Sequence, residues 1–129
     1  MRSMNVPESL RTWFVVHFVV DYLFALPLFF APRFTLTWLG FESIDPFATR
    51  IVAAALFAIG GVSFVIRDGR IAVFDVMLTL KLVWSVAAIV GMAVTMVEGG
   101  PAFGYVAIAV FTLFSVVWAY YKIMFVQNA

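Results

Sequence analysis

Four long apolar stretches, parted only by short polar breaks, leave a chain of this length few ways to fold. A helix crossing the roughly 30 Å hydrocarbon layer of a bilayer needs about 20 apolar residues. Four segments meet that requirement, at about 12–30, 46–66, 71–97 and 105–126. Their apolar runs are continuous rather than alternating, so helices are expected in place of a transmembrane β-barrel. A helix also bonds its own backbone N–H groups, which lipid cannot do. The chain is 65% hydrophobic and 12% charged, against about 45–50% and about 25% in soluble domains. The expectation is an all-α integral membrane protein, a bundle of four transmembrane helices forming a single membrane domain over residues 1–129.

The breaks carry turn chemistry. Asp45-Pro46 supplies an N-cap followed by proline at the first helical position. RDGR (67–70) is a tight polar turn, and EGGP (98–101) ends the third span so that the fourth can begin. The one substantial connection, APRFTLTWLGFESI (31–44), carries Phe34, Leu36, Trp38 and Leu39. It is expected to lie along the membrane interface as a short helix over about 32–44, or else as a plain loop. The first apolar run is span-length and no A-x-A-like site follows it, so a cleaved signal peptide is not expected.

Basic residues orient the spans. Threading four crossings puts Arg2, Arg11, Arg67, Arg70 and Lys122 on one side and Arg33 on the other. Both termini are therefore expected in the cytoplasm, in the cell (plasma) membrane. Trp13, Tyr120 and Tyr121 then fall near the cytoplasmic face, with Trp38 and Tyr105 near the outer one, as interfacial belts do.

Orientation converts position into depth, at about 1.5 Å per residue. Within HFVVD (17–21), His17 lies about 8 Å in and Asp21 about 14 Å in, near the midplane. On the third span Asp75 lies about 6 Å in and Lys81 about 15 Å in. Asp21 and Lys81 thus occupy one level on different helices, and His17 and Asp75 a shallower one. An unpaired charge at mid-bilayer costs roughly 2.5–3.5 kcal/mol or more, so Asp21 and Lys81 are expected to face each other. His17, at i−4 from Asp21, shares its face.

Small and polar stripes extend this picture: Lys81, Ser85, Ala88 and Thr95 on the third span; Tyr105, Ile108, Thr112, Ser115, Ala119 and Lys122 on the fourth; Arg50, Ala54, Ala58 and Gly61 on the second. Two residues admit two readings each. Asp75 either joins the polar layer or projects into the headgroups to meet Arg70 or Arg11. Arg50 either lines the site or reaches outward toward Glu42 or Asp45. Trp84, deep in the third span, reads as core packing.

Several functions are excluded or disfavoured. A net charge of +1 gives no footprint for nucleic acid. With no cysteine and a single histidine, there is neither a disulfide nor a metal-ligand set, and no cofactor is expected. No phosphate loop or catalytic triad spacing is present, so no catalytic residue is assigned.

PLFFAPRFTLTWLGF (27–41) and TRIVAAALFAIGG (49–61), with the length, span number and loop pattern, resemble the DoxX-like group of small four-helix membrane proteins. The glycine-lysine ending of the first span and the acidic residue in the second, associated with DoxX proper, are not found here. That resemblance implies a small membrane bundle of a group linked with thiosulfate–quinone oxidoreductases or redox-stress assemblies.

The residues themselves point to a protein that binds or transports a proton, ion or small amphipathic molecule. The candidate ligand or proton site is Asp21, Lys81, His17, Ser85, Ser115, Arg50 and Asp75. The alternatives are a non-catalytic membrane subunit or assembly partner, or a quinone-associated redox subunit. Partners beyond lipid would be a second copy of the chain or another membrane protein.

Overall fold

The computed structural model describes residues 5–128 and is helical throughout. Arg2, counted in the orientation argument, lies outside them. Helix α1 spans Glu8–Phe30, α2 Pro32–Trp38, α3 Pro46–Val65, α4 Ile71–Val97 and α5 Phe103–Gln127. All but α2 are long and apolar enough to cross a membrane. The chain divides into two compact units, one over Pro7–Asp68 and the other made of the residues before Pro7 and those from Gly69 onward.

In the first unit α1 and α3 form a hairpin with α2 at the corner. Helix α1 begins a turn earlier than its apolar run, because the Pro7 carbonyl accepts from Leu10 and Arg11 N–H at 3.1 and 3.3 Å. It ends before Pro32, whose ring disfavours helical backbone at Ala31; Ala31 adopts φ −137° and ψ 61°. The connecting segment is helical only over its first half. Gly40 then takes φ 92°, with Gly40 N–H donating to Thr37 and Phe41 N–H to Leu36. That is the Schellman arrangement, which needs a left-handed residue and so favours glycine. Asp45 caps α3 as expected, its carboxylate accepting from Phe47 and Ala48 N–H at 3.0 and 3.3 Å.

One stripe of α1 is buried: Leu10, Phe14, His17, Asp21 and Ala25. On α3 the buried face is Ala53, Leu56, Ile59, Gly60 and Ser63. This corrects the stripe read from sequence, since Ala54 and Ala58 are exposed and Gly61 is half-buried. The reason is close helix approach. A Cβ on Gly60 would stand 2.8 Å from the Asp21 Cβ, and one on Gly61 would stand 2.7 Å from the Tyr22 hydroxyl. Tyr22 donates to the Phe57 carbonyl at 3.2 Å. Rings of Phe18, Tyr22, Phe57 and Phe29 pack in a chain along the same seam.

The second unit is an α4–α5 hairpin. Its turn is again a Schellman motif: Gly99 sits at φ 103°, Gly99 N–H donates to Met96 and Gly100 N–H to Thr95. Pro101 lies in this turn, two residues before α5. Helix α4 buries Phe74, Met77, Leu78, Lys81 and Ser85. Helix α5 buries Phe114, Trp118, Tyr121 and Phe125. Here too the sequence stripes shift: Thr95, Thr112 and Tyr105 are exposed, while the aromatic row of α5 turns inward. Of the expected belt residues, Trp38, Tyr105 and Tyr120 are exposed and Tyr121 is buried.

Gly60→Ala is expected to destabilise the protein by about 1–3 kcal/mol, since the added carbon meets a backbone-anchored neighbour and not a flexible tip. Gly91 has nothing within 4 Å of its would-be Cβ. Gly91→Ala should therefore be neutral or stabilising by up to about 1 kcal/mol. Unfolding of both variants in the same detergent checks the contrast.

Candidate functional site

In the Pro7–Asp68 unit the site is built on one turn of α1. His17 and Asp21, four residues apart, point the same way, and His17 Nε2 lies 3.3 Å from Asp21 Oδ1. Both side chains are more than nine-tenths buried. Gly60 comes against the far side of the Asp21 side chain, 3.2 Å from Oδ2 to the position a Cβ would take. One turn further along α3, the buried Ser63 hydroxyl donates to the Ile59 carbonyl at 2.6 Å. This satisfies it on its own helix.

The α4–α5 hairpin carries three polar cross-helix contacts in succession. Asp75 Oδ1 and Lys122 Nζ form an ion pair at 2.6 Å. Deeper, Lys81 is completely buried, and its ammonium lies 4.7 Å from the centroid of the Trp118 ring. Deeper again, the Ser115 hydroxyl donates to Ser85 Oγ at 2.6 Å. The pairs 75/122, 81/118 and 85/115 follow the register of antiparallel helices, α5 running back as α4 advances. An ammonium over an indole face is attracted by the ring quadrupole, by about 2 kcal/mol or more when water is excluded.

Within each unit the structure places the residues singled out from sequence as follows. The structure brings His17 and Asp21 together, Ser85 and Ser115 together, and Asp75 together with Lys122. Within its own unit, Arg11 donates to the Arg67 carbonyl at 2.7 Å, just past the end of α3. Lys81 is in the described unit of α4 and α5, and Asp21 in that of α1 and α3. Arg50 is exposed, and its Nε donates at 3.0 Å to the carbonyl of Phe29 at the end of α1, not to Glu42 or Asp45. Guanidinium groups thus complete helix C-termini, where unbonded carbonyls carry partial negative charge.

Two residues escaped the sequence reading. Trp118 lies three residues after Ser115 and four before Lys122, so helical spacing placed it on the face of both. Gly60 sits beside the glycine that was singled out. Trp84, taken as packing, is half-buried and lies 6.4 Å from Phe111, ring centre to ring centre.

Among the described residues, no group of three or more His, Asp or Glu side chains is placed to hold a metal ion. No family model matches the chain, and neither the curated proteins nor the solved structures contain a significant match.

The serine contact gives a direct check of the α4–α5 register. In this cysteine-free chain, Ser85→Cys with Ser115→Cys should close a disulfide under mild oxidation. Two maleimide-polymer additions should be lost on a gel and regained on reduction.

Proposed function

We propose that this chain is a multi-pass membrane protein that binds or moves a proton, small cation or small amphipathic molecule at a buried polar site. Asp21 is the acceptor, His17 its partner in sharing a proton. Lys81, with Ser85 and Ser115, supplies the polar layer of the α4–α5 hairpin. The reading rests on one observation. Three ionisable side chains lie in the middle of span-length apolar helices with exposures of 6%, 6% and 0%, for Asp21, His17 and Lys81. Ionisable groups at such depth are costly, and where they persist they commonly mark ion, proton or ligand sites.

The chemistry of the pair fits the assignment. A carboxylate accepts a proton or cation directly, and an imidazole four residues away is the side chain best suited to exchanging protons near neutral pH. The sequence-derived depths, which set Asp21 level with Lys81, support an amine tuning the charge of the acid. The distribution of arginine and lysine supports cytoplasmic termini. No catalytic arrangement is assigned, and binding or transport is preferred to catalysis.

A second reading, a non-catalytic membrane subunit or assembly partner, draws on the Gly60 contact. An aspartate wedged between His17 and a glycine backbone also serves as a packing wedge. The DoxX-like resemblance of residues 27–41 and 49–61 would place such a subunit beside a quinone-linked redox assembly.

Purified protein in vesicles enclosing a pH-sensitive dye, driven by a potassium diffusion potential, separates the two. Asp21→Asn is expected to abolish proton uptake, and Asp21→Glu to retain part of it. Unchanged uptake in Asp21→Asn together with a lowered unfolding temperature would instead establish the packing role.

A further inference from the structure

Among the described residues, Ser63 is the only polar side chain buried on α3. Its place in the α1–α3 hairpin is set by the contacts on either side of it. The Tyr22 hydroxyl donates to the Phe57 carbonyl at 3.2 Å. Next along α3, Asp21 meets Gly60, where an added Cβ would stand 2.8 Å from the Asp21 Cβ. Then the rings of Phe18 and Phe64 lie 4.6 Å apart, centre to centre. Last, Arg11 donates to the Arg67 carbonyl at 2.7 Å. Residue numbers fall on α1 as they rise on α3, so the two helices run antiparallel.

The Phe18–Phe64 contact lies one helical turn from the Asp21–Gly60 contact. On α1 that turn leads from Asp21 to His17, on the same face. On α3 it leads from Gly60 to Ser63, again on one face. Both residues are buried, at 6% and 0% exposure. The register therefore sets an imidazole and a hydroxyl level with each other on neighbouring helices.

Hydrogen-bonding capacity gives each group a role. The Ser63 hydroxyl has one proton, and donates it to the Ile59 carbonyl at 2.6 Å. Toward any other side chain its oxygen is an acceptor. His17 turns Nε2 to Asp21, 3.3 Å from Oδ1, so the nitrogen that can address α3 is Nδ1. A neutral imidazole carries a single N–H, and the hydrogen bond made by one ring nitrogen decides the state of the other.

We propose that Ser63 is a positioning residue, its oxygen accepting from His17 Nδ1–H and so holding the Nε2 lone pair toward Asp21. The pair then carries one exchangeable proton between Asp21 Oδ1 and His17 Nε2. This rests on the reading of Asp21 and His17 as a proton site. With the proton on Asp21, acid and imidazole are both neutral. When it moves, the O–H bond breaks and the Nε2–H bond forms, giving carboxylate and imidazolium. Nδ1 keeps its proton throughout. In the opposite tautomer Nε2 already bears a proton, and the acid could not pass one to it.

His17 is the only histidine of the chain, so histidine labelled at its ring nitrogens for NMR reports this site alone. In the full-length protein in detergent micelles at neutral pH, couplings to the ring protons tell the two nitrogens apart. Their shifts separate a protonated nitrogen from a bare one. Nδ1 is expected to be protonated in the wild-type protein. In Ser63→Ala it is expected to be bare, the ring proton having passed to Nε2. A bare Nδ1 in the wild-type protein, or an Nδ1 indifferent to Ser63→Ala, overturns the assignment. Should Ser63→Ala not fold, Ser63→Cys, close in volume and a weak acceptor, takes its place. The ring nitrogens report the arrangement whether or not the chain moves protons. An Nδ1–H that depends on Ser63, with no proton uptake in vesicles, would keep Ser63 as the residue orienting His17 and remove only the functional reading. Uptake with a bare Nδ1 would keep the proton site and remove Ser63 from it.

Discussion

An ammonium group with no exposure, halfway along a 27-residue apolar helix, dictates much of what surrounds it. Removing a charge from water is the largest single unfavourable contribution any side chain here can make. Within the hairpin, Lys81 faces the electron-rich plane of Trp118, and a bonded pair of serine hydroxyls lies one turn deeper. The hairpin also keeps its other lysine near the rim, on a carboxylate. Helix α1 meets the same demand differently, by setting His17 four residues from Asp21 so that both polar groups share one face. In each helix the charge is confined to a single stripe. The remaining faces carry valine, leucine and phenylalanine.

Span number, span limits and the two polar turns were legible because they follow from apolar length and from Asp, Gly and Pro chemistry, which tertiary packing hardly alters. The faces of α1 and the deep half of α4 were legible too, since a charge has only one tolerable direction. Helix α3 was read one residue out of phase. Its run AAALFAIGG (53–61) offers two overlapping small faces, one with Ala54, Ala58 and Gly61 and the other with Ala53 and Gly60. Periodicity cannot choose between them. The choice is made by the shapes of Asp21 and Tyr22 on the partner helix. That information is not local to α3.

Helix α5 misled for a different reason. In water, Thr112 and Tyr105 would be outward and Phe114 and Phe125 inward; for a span the opposite was assumed, polar toward the bundle. The structure puts the aromatic row inside and the threonine and tyrosine outside. A threonine can return its hydroxyl to its own helix, as Thr79 and Thr95 do, and then costs little on an apolar face. Polarity is thus a reliable inward marker only for groups the helix cannot satisfy alone, which means the charges.

The two hairpins hold their helices by different means, and the difference bears on specificity. Between α1 and α3, glycines and rings let the backbones approach, and Tyr22 and Arg50 each add one bond to a carbonyl of the facing helix. Between α4 and α5, the three polar pairs fix a register. Moving α5 by one residue would separate Lys122 from Asp75, Trp118 from Lys81 and Ser115 from Ser85 at once, leaving a charge buried without its partner. A buried polar contact is a poor source of net stability but an effective selector among near-equal packings. One such set, near one end, suffices to align a pair of rigid helices. That is why the half of the hairpin beyond Ser85 can do without a further buried charge, its Thr95 bonding its own helix.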